Sequence, residues 1–155
     1  MYRRLNDMLT EGGLSHLYLR LLVVALVPAV TEEMFFRGLL QNTLMRHAPK
    51  WHAILVSAMI FSLGHADMSA FVPRFVLGAF LGWLLVIGKS LWLPIAVHFV
   101  NNAAAVICYY FWFDKQAGEC VIDQLGVDNP LVAVASFMLV VGGIFALHKL
   151  DKKEP

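Results

Sequence analysis

The chain has 155 residues, of which 59% are hydrophobic and only 15% charged, and its mean hydropathy is +0.69. Soluble domains average about 25% charged residues, so this is a membrane composition. A net charge of +1 gives no basis for nucleic-acid binding, and two cysteines, Cys108 and Cys120, make no disulfide framework.

Residues 1–13 are polar and mixed in charge, with no secretory signal. Residues 14–150 predict one all-α domain, a polytopic transmembrane bundle of about five membrane helices, and residues 151–155 form a polar tail. The first segment runs from Leu14 to Met45 and contains Pro28, which predicts a kink or a break. The second spans Trp51 to Ala66, and the third Phe71 to Ile87. The fourth spans Leu91 to Phe113 with Pro94 in its first turn, where proline is tolerated. The fifth spans Leu131 to Leu147 after Asn129-Pro130, a cap followed by a proline start.

These runs lack period-2 alternation, and an open sheet cannot satisfy its backbone in lipid. Small residues at Gly78, Gly82, Gly142 and Gly143 suit close helix contacts. Arg46, Lys50, Lys89, Lys149, Lys152 and Lys153 lie at connections or ends that the positive-inside rule assigns to the cytoplasm. The loop from Asp114 to Asp128 is acidic and falls outside. A multi-pass protein of the cell membrane with a cytoplasmic C-terminus follows, opposed only by Arg3 and Arg4. Trp51, Trp83, Trp92 and Trp112 lie near predicted span ends, where aromatic belts form. His16, His47, His52 and His148 also lie near segment ends, in interfacial or solvated positions.

Glu32, Glu33 and Arg37 sit within the first apolar run. Each charge at bilayer depth costs roughly 2.5–3.5 kcal/mol or more, so such residues face a bundle interior or do chemistry. Glu33 and Arg37 are four apart and share a helix face, which predicts an ion pair. Glu32 is turned away and left free. Phe61 and His65 are one turn apart on the second segment. His98 and Asn102 share a face of the fourth, with Asn101 turned toward a helix contact. A carboxylate and an imidazole can activate water, and an imidazole with an amide can stabilise an oxyanion. These are the parts for hydrolysing an amide without a covalent nucleophile. Ser57, Ser62, Ser69, Ser136 and Cys108 lack the neighbours that would activate them. Zinc on Glu32, His65 and His98 is an alternative, although no His-Glu-x-x-His occurs.

Glu32-Glu33-Met34-Phe35-Phe36-Arg37 with Gly38, Phe61-x-x-x-His65 and His98-x-x-x-Asn102 resemble, in order, the motifs of the CAAX-protease and bacteriocin-processing family of intramembrane proteases. The resemblance covers residues 32–102 and implies an endopeptidase acting on a membrane-associated or lipidated, CAAX-type substrate. Position by position it implies that Glu32 and His65 activate water and that His98 and Asn102 stabilise the oxyanion. Glu33, Arg37 and Phe61 would support the site. It also implies either a glutamate-dependent or a zinc-dependent mechanism, the first being preferred, and further helices upstream of the Glu-Glu segment. The competing expectation is a non-enzymatic membrane protein of the same fold, an immunity or scaffold factor or a proton-coupled transport component.

Overall fold

The structure, a computed structural model, describes residues 14–114 and 119–120. The fifth predicted segment, the acidic loop beyond Cys120, Trp112's side chain, His148 and Ser136 lie outside the described residues or side chains. The chain divides into two units. Gly13–Val106 holds every candidate site residue, and the second unit comprises Met1–Gly12 and Ile107–Pro155. In the second unit the described residues include a two-residue antiparallel pair, β1 (Phe113–Asp114) with β2 (Glu119–Cys120).

Helix α1 covers residues 14–45 without interruption, as every junction residue within it has right-handed helical dihedrals. Its hydrogen-bonding register changes along the way. α-Helical Leu14–Arg20, Val27–Glu33 and Asn42–Met45 alternate with π-helical Leu21–Leu26 and Met34–Gln41. Pro28 therefore does not break the helix. It lacks the N–H that would bond four residues back, and the wider π turn just ahead of it absorbs that missing bond.

α1 ends before Pro49, whose extended backbone (ψ 145°) opens α2, Lys50–Leu63. At 14 residues α2 reaches about 21 Å, short of the ~30 Å hydrocarbon thickness. The second segment is thus shorter than its apolar run suggested, because Gly64 and the left-handed Ala66 (φ 52°) end it. α3 (Phe71–Gly88) and α4 (Trp92–Trp112) are long and apolar enough to cross a membrane. No more than a third of either apolar stretch is buried, and Val72, Val76, Leu93 and Val100 are exposed. That much exposed apolar surface suits lipid rather than water.

The core forms where α2 and α3 pack together and against the π stretch Met34–Gln41. Gly78 and Gly82 make the approach possible. A Cβ on Gly78 would meet Ala58 Cα and Phe61 Cδ1 at 3.2 Å, and one on Gly82 would meet Gln41 Oε1 at 2.5 Å. Ser57 Oγ donates to Phe36 O (3.1 Å) and Ser62 Oγ to Phe71 O (2.7 Å), so both serines tie helices together. Trp83 is buried and stacks on Phe80 rather than standing in an aromatic belt, whereas Trp51 and Trp92 are exposed.

Candidate active site

The site begins with a buried polar row on α1. Glu33, Arg37 and Gln41 recur every four residues and are fully buried. The i→i+5 bonding of Met34–Gln41 widens the turn beyond about 3.6 residues, so side chains four apart lie nearly above one another. Arg37 Nη1 donates to Glu33 Oε1 at 2.8 Å, the predicted ion pair. Arg37 Nη2 donates to Gly78 O and Gln41 Nε2 to Gly82 O, each at 2.9 Å. The row's spacing of four thus matches the spacing of the two glycines, and Arg37 and Gln41 each meet a carbonyl on α3. The guanidinium also lies 4.8 Å from the Phe61 ring centroid, within cation–π range. Among the described residues, Glu33 Oε2, Arg37 Nε and Gln41 Oε1 are buried without hydrogen-bond partners.

Glu33 serves a second donor side chain. His98 Nδ1 bonds the same Oε1 at 2.8 Å, from α4, 65 positions away in sequence. An ionised carboxylate only accepts, so Nδ1 carries the proton and Nε2 is left for other work. Nε2 faces Glu32 Oε2 at 3.8 Å. That is too long for a direct hydrogen bond and too short for a water to stand on the line between the groups, so a water bonded to both would sit to one side of the pair. Glu32 makes no hydrogen bond among the described residues, and its side chain is 29% exposed where Glu33 is at 0%. The adjacent glutamates therefore occupy different environments, as their angular separation on the helix predicted.

Phe61 links the two imidazoles. Its ring meets His65 edge-on at 5.0 Å and His98 at 5.9 Å between centroids. His65 lies beyond the end of α2, in the turn at Gly64–Ala66, and is exposed. Its Nδ1 donates to Phe61 O at 2.9 Å, which leaves Nε2 as an acceptor. Asn102 is half-buried, one turn after His98, and its Oδ1 accepts from Asn101 Nδ2 at 3.4 Å. Its own NH₂ then remains a donor. Asn101 is exposed, so it does not fill the helix contact expected of it among the described residues. His16, His47 and His52 are exposed, and His47 bonds Thr43 O.

The ligand set offered to zinc is not gathered. Among the described residues, no three His, Cys, Asp or Glu side chains stand close enough to hold an ion. Glu32 and His98 approach each other, but His65 does not join them as a third preformed ligand.

The row of paired charges, the two imidazoles around one phenylalanine and the apolar helices define a membrane protein with a polar centre. A family model described as "Type II CAAX prenyl endopeptidase Rce1-like" matches residues 14–104, and the chain belongs to that family. It is also similar to a protein of Bacillus subtilis (strain 168) named "Putative membrane peptidase YdiL", at 29% identity over 89 residues. That match takes in 57% of this chain and 36% of the relative, so the chain spans little more than a third of the relative's length. No solved structure matches.

Proposed function

We propose that this chain is the core of a membrane-embedded endopeptidase that hydrolyses a peptide bond of a membrane-associated or lipidated, CAAX-type protein. The observation that carries the reading is the approach of Glu32 Oε2 to His98 Nε2 at 3.8 Å, with His98 held from behind by Glu33. In this reading Glu32 takes a proton from a water held beside that pair, with the His65 Nε2 lone pair as a second acceptor. The resulting hydroxide attacks the substrate carbonyl. His98 takes up a second proton, on Nε2, from solvent before the attack and keeps it throughout, so Nε2–H and the Asn102 NH₂ donate to the developing oxyanion. Glu32 then returns its proton to the leaving amine as the C–N bond breaks, and the carboxylate is regenerated. Glu33 and Arg37 keep His98 in place throughout.

Family membership and the relative's name support the hydrolase class. The balance of the mechanism is carried by this chain's own side chains, and no step passes through a metal. The five-span topology with a cytoplasmic C-terminus belongs to the same reading, supported by Arg46, Lys50 and Lys89 at the connections.

The test is cleavage of a lipidated CAAX-type peptide by the full chain in phospholipid vesicles, read by mass spectrometry. Wild-type protein should yield a water-derived carboxylate at the new C-terminus, and labelled water should place ¹⁸O there. Undiminished cleavage after Glu32→Gln would reject the mechanism. A cellular phenotype surviving loss of both His65 and His98 would favour the non-enzymatic alternative.

A further inference from the structure

The end of α1, the first residue of α2 and the connection from α3 to α4 line an open cavity of about 550 Å³ that the proposed chemistry does not use. Its lining includes Asn42, Lys50, Lys89, Ser90 and Trp92, over an apolar floor that includes Leu85. Lys50 and Lys89 are exposed and have no acidic partner among the described residues. Trp92 is 76% exposed and Trp51 63%, an arrangement typical of the membrane–water interface, where an indole has one apolar and one wet side. The cavity thus joins two unpaired ammonium groups, a hydroxyl, a tryptophan and an apolar base at the end of membrane helices.

The backbone at Lys89 adds an independent observation. Lys89 closes α3 in the left-handed conformation (φ 49°), and its N–H bonds Leu85 O. That position favours glycine, and an L side chain there is strained. Strain of this kind marks positions where the side chain has a use.

We propose that this cavity binds the phosphate headgroup of an anionic phospholipid, with Lys50 and Lys89 on the phosphate and Trp92 at the glycerol level. Basic pockets between membrane helices at the cytoplasmic side suit such headgroups, and each lysine near an anionic surface contributes about 1 kcal/mol. The remaining wall chemistry agrees: Ser90 and Asn42 offer neutral polar atoms, and no carboxylate lines the cavity. The site is separate from Glu32, His65, His98 and Asn102 and does not depend on the protease reading.

The experiment uses the full chain in nanodiscs of phosphatidylcholine containing one-fifth phosphatidylglycerol. After transfer to detergent, native mass spectrometry measures which lipid remains bound. Wild-type protein should retain phosphatidylglycerol preferentially, and Lys50→Ala/Lys89→Ala should lose that preference, by about fivefold for each lysine. The charge-matched control Lys152→Ala/Lys153→Ala should keep it. Lys89→Gly separates binding from folding: its melting temperature should hold or rise because the left-handed strain is relieved, while retention falls about fivefold. Equal loss in the control would mean general surface charge and overturn the site. Displacement of the lipid by millimolar inorganic phosphate would overturn the lipid assignment in favour of a free anion. Unchanged retention in Lys89→Gly would remove Lys89 from it.

Discussion

Two neighbouring parts of the polar centre are built on opposite principles. In the row Glu33–Arg37–Gln41 each side chain is fully buried and bonded to another element, through His98, Gly78 O and Gly82 O. Along the edge made by Glu32, His65 and Asn102, side chains are exposed or half-buried and retain unused acceptors or donors. A buried ion pair returns little net stability but is costly to break, so the row fixes geometry. Residues that must meet water and substrate need the opposite, open valences on a fixed frame. The contrast teaches that Glu32 and Glu33, one position apart, should fail in different ways when replaced.

The largest expected effect is on catalysis. Glu32→Gln should lower cleavage roughly 10²–10⁴-fold, the usual contribution of a positioned general base. Its melting temperature should stay near that of the wild type, because Glu32 holds no hydrogen bond among the described residues. An unfolded Glu32→Gln protein would break the comparison, since it would place Glu32 in the frame.

Arg37→Leu should do the reverse and act on the fold. It leaves Glu33 buried without its guanidinium, a change that costs about 3–5 kcal/mol. Denaturant titration in detergent checks this. A loss under 1 kcal/mol would mean that the row is not the frame.

Gly82→Ala should have a smaller effect, about 1–3 kcal/mol of overpacking. The new methyl would lie 2.5 Å from Gln41 Oε1, and that amide is pinned by the bond from its Nε2 to Gly82 O. Gln41→Ala removes that obstacle, so the double variant should be less destabilised than the sum of the two single ones. Strict additivity would show that Gln41 yields freely and is not part of the row.

Local spacing made the chemistry readable in the chain. The Glu33–Arg37 pair and the shared face of His98 and Asn102 follow from i, i+4 geometry alone. The freedom of Glu32 followed from the same helical angle. The bond from Glu33 to His98 was not readable, because it depends on how α4 docks 65 positions later. Gln41 was also missed, although its step of four from Arg37 repeats the step from Gly78 to Gly82 and could have signalled the seam. The apolar run to Ala66 hid the end of α2, where Gly64 and a left-handed Ala66 stop the helix and put His65 on a turn. Of the kink or break expected at Pro28, the break does not occur, since a π turn precedes it and the helix continues. Tertiary packing decided the first two cases and local backbone geometry the last two, and hydropathy carries no trace of either.

The smallest effect expected lies on the turn that carries His65. Asp67, two residues on, accepts from Ser69 Oγ (2.6 Å), Ser69 N (3.1 Å) and Arg74 Nη2 (3.0 Å). The Ser69 hydroxyl first, and Arg74 next, hold its carboxyl below the ordinary value. A carboxyl lowered on folding contributes stability above its unfolded value of about 3.9 and loses it as pH falls through the lower folded value. Wild-type protein should therefore lose a small part of its thermal stability on acidification below about pH 4, and Asp67→Asn should flatten that slope. The group is exposed, so the change should be slight in the melt. It should be clearer in hydrogen exchange at Gly64–Ala70, where the Asp67 bonds close the turn behind His65. Equal acid sensitivity of that turn in Asp67→Asn would show that His65 is positioned by its bond to Phe61 O alone, and that the open edge owes nothing to the loop.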